Sequence, residues 1–437
     1  AFKNVSVESM LATTRKLLAI RHKDDAKRLE KLGLQPADPD DRDSLSFMRF
    51  HGPEDMFAER VSNSARILRP ILWRVSARKS VQGITPGVLN KSMDAVLLGS
   101  GLGQPLESIN PAHIFEQQGR VTRMGEGGIP SIDAVPESSR NVQPSHFGFI
   151  DPLVTPESLQ SGVDLRMASI SRKGRDGQIY TKVRDARTGS FVWRTPSVLA
   201  DAALAFPREL RSGRPRVAAL VNGKEKYIPR KQVDYEIPHM EGTLSFLANM
   251  VPMKSAVKGQ RAAMAARMLT QALPLVNAEA PFVQSGIPDM EGTSYEEFYG
   301  NKMGASRSSS AGKVTKITED TITIRQDSGE IETIDLYNNF PYNRKTYIHQ
   351  TPAVELGQRV SKGQLIATSN YVDKNGTTAI GLNVRTMYIP FRGMNFEDAI
   401  VISEGLSKRL TSQHMYKSKE QQGRVTRMGE GGIPSID

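Results

Sequence analysis

Residues 104–168 constrain the fold of this chain more than any other stretch. Gly, Pro and Ser recur there so densely that no apolar rhythm of 3.6 or 2 residues survives. A long irregular stretch in a compact protein is either a working loop region or disordered. Upstream, Leu11, Leu17, Leu18, Leu29 and Leu32 fall at helical spacing and predict helix within 9–33, with Gly33 as its stop. Met56, Phe57, Val61, Ile67, Leu68, Ile71 and Leu72 predict helix over 55–80, and Gly99–Gly103 breaks the pattern. Downstream, Tyr180–Val183, Phe191–Trp193 and a run through Ala218, Leu220 and Val221 read as short strands, the last closed by an Asn222-Gly223 turn. Residues 258–273 are strong helix formers ended by Pro274, and Val314–Ile317, Thr321–Ile324 and Ile331–Leu336 are β-rich segments split by turns.

The expected fold is α+β and multidomain, mixing a helical lobe with β-barrel or sandwich segments. Its parts are a mostly helical lobe (1–104), the irregular loop region (105–176), a small β-rich lobe (177–240), a helix-centred region (241–300), a flexible link (301–313), an antiparallel β region (314–419) and a tail (420–437). The tail is set apart because EQQGRVTRMGEGGIPSID occurs at Glu116–Asp133 and again, letter for letter, at Glu420–Asp437. Divergence would leave substitutions, so the second copy reads as a recent or artefactual duplication and is assigned no role.

Composition narrows the function. With 38% hydrophobic residues the chain fills more than one core, about two to four domains. A net charge of +11 favours a polyanionic partner, nucleic acid foremost, with a solvated basic surface or an acidic protein as alternatives. The absence of Cys excludes disulfides, thiolate zinc sites and thiol catalysis, and seven scattered His argue against a metal cage. No apolar run has the length of a membrane span and no signal-peptide pattern opens the chain, which starts at Ala1 as processing would leave it.

The sharpest chemical signal is Asn395-Phe-Glu-Asp398, followed by apolar Ala399–Ile402. Adjacent carboxylates leaving a buried strand suit a hard divalent cation or its water shell. A helix N-terminus, where acids complement the dipole, explains the same four residues and is the simpler reading of them alone. Arg261 offers a planar fork to phosphate oxygens, or is an ordinary solvated helix residue. Gly125, Gly127 and Gly128 permit tight turns and close backbone approach to nucleic acid, and Arg120 and Arg123 are placed to meet phosphates. The acidic run Asp38–Asp43 reads as a solvated turn. Gly99–Gly103 lacks the flanks of a dinucleotide fingerprint, and no Walker-type loop occurs.

The segment MYIPFRGMNFEDAIVISEGL, containing Asn395–Asp398, resembles one found in β subunits of multisubunit DNA-directed RNA polymerases. Further blocks follow the same order in that family. They are Asn110–Asp133, Asn141–Ala168 with His146, Gly148, Thr155, Pro156, Glu157 and Gly162, Gln232–Tyr235, and Lys258–Gly286 with Arg261, Gln271, Pro274, Glu279 and Gly286. The resemblance covers roughly residues 40–410 and is weakest before 105; the sequence looks divergent, as in phage polymerases whose β is split.

The resemblance implies catalytic roles for Glu397 and Asp398 beside a shared Mg2+, which Asp398 touches directly or through water. It implies a phosphate contact for Arg261, support from Asn395, Phe396 and Gln271, and nucleic-acid contacts for Arg120, Arg123, Gly125, Gly127, Gly128 and Glu157. Arg267 stands where the family has Asn, so no role carries onto it. Gln117-Gln118-Gly119 and Thr122 replace the family's His-Lys-Arg and Ser, which implies poor rifamycin sensitivity. The aspartate triad that holds magnesium and the family's lysine-bearing β segment are both absent. The chain is therefore expected to be the N-terminal and middle part of a split β, inactive alone. Expected partners are a β′-like subunit, a C-terminal β fragment, an initiation factor, template DNA, RNA and NTPs, with no membrane, in host cytoplasm or a phage compartment such as the virion. The alternative is a non-catalytic nucleic-acid-binding or polymerase-associated scaffold that kept the blocks.

Overall fold

A computed structural model describes residues 5–63, 65–81, 87–99, 106–125, 128–288 and 290–416, together with two-residue strands at 427–428 and 434–435. Its architecture is α+β. The first helical run is two helices, α1 (Val7–Arg21) and α2 (Ala26–Leu32), because Asp25 leaves helical geometry and its carboxylate caps the Arg28 N–H. Gly33, at φ 62°, stops α2 as expected. The second run is likewise split, into α3 (Pro53–Ser62) and α4 (Ala65–Arg78), followed by α5 (Asn90–Leu97). No helix among the described residues is long and apolar enough to cross a membrane.

The irregular region does form structure, mostly turns and short 3-10 segments around one helix, α6 (Pro111–Gln118), and one strand pair. Strand β1 (Arg120–Thr122) runs antiparallel to β2 (Asp164–Arg166), with Val121 opposite Leu165. Beyond it lies a sheet built from β3 (Ser171–Lys173), β4 (Ile179–Asp185), β5 (Phe191–Arg194), β6 (Leu204–Ala205), β7 (Arg216–Val221), β8 (Lys224–Pro229) and β9 (Tyr235–Glu236). Its order is β3-β4-β9-β6-β7-β8, with β5 also on β4. The Asn222-Gly223 turn joins β7 to β8 with φ of 50° and 70°, the double positive φ that a tight hairpin turn demands. Phe149, Ile179, Val183, Leu204 and Ile237 form the core under this sheet.

A second core joins the loop region to the helix Gly259–Thr270. It contains Ala112 of α6, Leu247, Ala266, Tyr295, Tyr299, Met303 and Tyr371. Further on, strands Ile331–Asp335, Thr321–Gln326, Gly312–Ile317 and Arg359–Val360 make one sheet; Ser306–Arg307, Leu365–Ser369 and Gln350–Pro352 make another. Val314, Ile322, Ile324 and Val360 of the first share a core with Ile366 and Ala367 of the second. The two sheets therefore pack as a sandwich, and among the described residues neither closes into a barrel.

Two expectations are corrected here. The Ser- and Gly-rich segment 301–313 is packed rather than a flexible link: Met303, Ala305 and Ser308 are buried, and Ser306–Arg307 pairs with Leu365–Ser369. Small side chains serve close packing there. Asp43 is not a solvated turn residue either. It is mostly buried and accepts hydrogen bonds from Arg123 Nη1 at 2.9 Å and Ser139 Oγ at 2.7 Å. Asp38 and Asp40 of the same run are exposed, paired to Lys23 and Lys16.

Candidate functional site

Asn110 ties the loop region to the helix that carries Arg261. Its side chain is fully buried, caps α6 by accepting from the His113 N–H, and donates to the Leu269 and Ala272 carbonyls at 2.9 and 2.8 Å. One amide thus satisfies the start of α6 and the end of Gly259–Thr270. Arg261 lies exposed in the first turn of that helix, its Nη1 3.3 Å from Met264 Sδ. Gln271 is the exposed C-cap at the other end, about 15 Å along the axis.

The segment after this helix holds the Asn395–Asp398 loop at both of its ends. On one side Glu279 N donates to Gly381 O, and Glu279 accepts from Asn383 N and Nδ2 at 3.0 and 3.1 Å. On the other side Val276 N donates to Thr411 O, Gln413 N donates to Pro274 O, and Arg409 reaches Glu279 Oε1 at 2.6 Å. The Asn383 backbone N–H and side-chain amide, with Arg409, keep the Glu279 carboxyl below its ordinary pKa. Residues 274–283 are thus a strut between the Gln271 end of the helix and both stems of the loop. Glu279 was visible in the sequence as a family match, but nothing marked it as the clamp.

Within the loop, Asn395 acts as the staple. Its Oδ1 accepts from Phe391 N at 2.8 Å and its Nδ2 donates to Ile389 O at 2.5 Å. Phe396 is 76% exposed, and Glu397 and Asp398 are exposed, with Glu397 at φ 55°. Neither local geometry suggested for the carboxylates is present: among the described residues no strand leads directly into them, and the next helix, Glu404–Arg409, starts later with Ser403 as its cap. Two adjacent carboxylates are too few to hold a cation alone, and no group of three His, Asp or Glu able to bind a metal occurs among the described residues.

Arg120 and Arg123 both face carboxylates. Arg120 Nε meets the buried Asp164 at 2.7 Å, and Arg166 bridges Asp164 to Glu116 of α6. Arg123 meets Asp43. These pairs brace the stem of a tight loop in which Ile129 N donates to Arg123 O and Gly128 N to Gly125 O. Gly125 has φ 116°, and a Cβ on Gly128 would stand 2.4 Å from Arg123 O. Gly127 lies outside the described residues. Glu157 pairs with Arg267 Nη2 at 3.0 Å, linking the Asn141–Ala168 block to the helix. Sequence reasoning passed over Arg267 because it departs from the family pattern.

Comparison with known proteins gives two family matches: RNA polymerase Rpb2, domain 3, over residues 104–172, and RNA polymerase Rpb2, domain 6, over residues 307–431. The DNA-directed RNA polymerase subunit beta of Thermus aquaticus is 29% identical over 415 residues, covering 91% of this chain and 36% of the relative. That of Rubrobacter xylanophilus is 29% identical over 343 residues, covering 76% and 29%. The chain thus spans about a third of the length of the curated relatives it matches.

Proposed function

We propose, for a chain that belongs to the β-type RNA polymerase subunits, that it forms one wall of a shared active site and binds template DNA, the RNA–DNA hybrid and incoming NTP. The observation that carries this reading is the strut 274–283, which joins the helix of Arg261 and Gln271 to the loop of Glu397 and Asp398. In this reading Arg261 clamps nucleotide phosphates with its planar fork. Glu397 and Asp398 hydrogen-bond groups around the triphosphate, and Asn395 keeps their loop in place. Phosphoryl transfer depends on positioning and charge neutralisation, and bound Mg2+ supplies the latter. The ion is held mainly by a β′-type partner. The ion pairs of Arg120 and Arg123 favour a bracing role, with the backbone at Gly125 and Gly128 offered to nucleic acid. The rest of β comes from further polypeptide, and an initiation factor joins the assembly. In the assembled enzyme, Asp398→Ala should lower nucleotide addition by ~10²-fold or more while leaving subunit stoichiometry unchanged. Unaltered elongation would remove the active-site assignment. Purification in which the chain never joins a β′-type partner would favour the scaffold reading instead.

A further inference from the structure

Residues 208–231 are one of the strongly basic stretches of the chain, with eight cations against two carboxylates. The β7–β8 register and the flanking 3-10 turns bring five of these cations to the open end of that hairpin. Arg216 lies opposite Pro229, Arg230 N donates to Pro215 O at 3.0 Å, and Arg216 Nη2 donates to Tyr227 O at 2.6 Å. Arg211, Arg214, Arg216, Arg230 and Lys231 are all exposed there, and none makes an ion pair among the described residues.

The nearby acids are engaged elsewhere. Glu209 accepts from Ala218 N, and the buried Glu236 accepts from Leu210 N with Arg184 beside it. Clustered like charges without counterions repel one another and focus a positive potential outward. We propose that this end of the hairpin is a second nucleic-acid contact, one that grips the phosphate backbone of a duplex without reading its sequence. The proposal rests on the nucleic-acid-binding reading above and adds a surface to it.

The chemistry chooses among polyanions. Four of the five cations are arginines, whose guanidinium forks match phosphate oxygens. A protein partner needs an apolar centre, and a single strand needs aromatic platforms for its bases. Between 208 and 232 the only large apolar side chain exposed is Tyr227. The sheet behind supplies rigidity, since Val217 and Ala219 of β7 are fully buried with Ala205 and Val233.

The test titrates the full chain against a fluorescent DNA duplex of arbitrary sequence over a salt series. Wild type is compared with the fourfold variant Arg211→Gln, Arg214→Gln, Arg230→Gln, Lys231→Gln, and thermal unfolding verifies that both fold. The variant should bind ~10-fold or more weakly near 0.1 M salt, and its log K against log salt should be shallower by about 2–4. An unchanged slope with retained binding would overturn the hairpin contact while leaving the polymerase reading intact. Equal competition by polyglutamate would also overturn it, in favour of an acidic protein surface. No duplex binding by wild type would overturn it too. The fate of the polymerase reading is decided separately, by Asp398→Ala in the assembled enzyme.

Discussion

His146 shows how one side chain couples the core to pH. It is buried, its Nδ1 accepts from Gln143 N, and its Nε2 has no partner among the described residues. Burial pushes its pKa down from 6.5 to about 4; Arg123 adds to the shift, and Asp41 and Asp43 oppose it. Above pH 6.5 the imidazole is neutral in both folded and unfolded chains, so its protonation contributes nothing to stability. As pH falls from 6.5 towards 4, the unfolded chain takes up a proton that the folded chain refuses, so stability is lost across that window. The loss amounts to up to about 3 kcal/mol once both pKa values are passed. Urea unfolding at pH 7.5 and pH 4.5 should show wild type losing more stability than His146→Gln. Equal losses would show that the imidazole does not titrate as buried. Asp151 is the opposite case: burial raises its carboxyl pKa although Leu153 N and Ser245 N both donate to it.

At the scale of elements, the short junction from helix Tyr295–Gly300 into strand Ser306–Arg307 depends on one close backbone approach. A Cβ on Gly300 would lie 1.8 Å from Gly376 O, in the turn where Asp373 accepts from Thr377 N and Asn375 N. Gly300→Ala should therefore cost roughly 2–4 kcal/mol, because backbone must move rather than a side-chain tip. A melting temperature within a degree of wild type would refute that packing. Sequence alone made 301–313 look loose, since Ser, Gly and Lys signal a link, and nothing local tells close packing from solvation. Elements with a local cause were legible. Helix Gly259–Thr270 has its strong formers and Pro274 beyond its end, and the Asn222-Gly223 turn has the φ its residues favour. The strut from 274–283 to 381–383 and 409–413 was not legible, because it joins stretches more than a hundred residues apart, partly through backbone bonds that any side chain allows and partly through Glu279, whose partners Asn383 and Arg409 no local pattern announces. The duplicated segment makes the same point. Arg123 and Met124 sit in a turn tied to Ile129, whereas the same residues at 427–428 pair with Pro434 and Ser435.

On the scale of the whole molecule, the Asn395–Asp398 loop is a surface in need of cover. Met387, Tyr388, Phe391, Met394, Phe396 and Ile400 are all exposed along one irregular stretch, Tyr388 by 96% and Ile400 by 84%. The described residues offer these apolar side chains no core to enter. Fully burying one such side chain is worth ~1.5–3 kcal/mol, so the stretch represents a large unrealised association energy. The chain alone should therefore self-associate despite its net charge of +11, which opposes contact at low salt. Sedimentation velocity should show larger species for wild type as salt rises, and fewer for Met387→Ser, Tyr388→Ser, Ile400→Ser. The threefold variant should keep the wild-type unfolding midpoint, because these side chains contribute nothing to the cores of the chain itself. Monomers of both proteins at every salt concentration would mean that the stretch is stable in solvent as it stands.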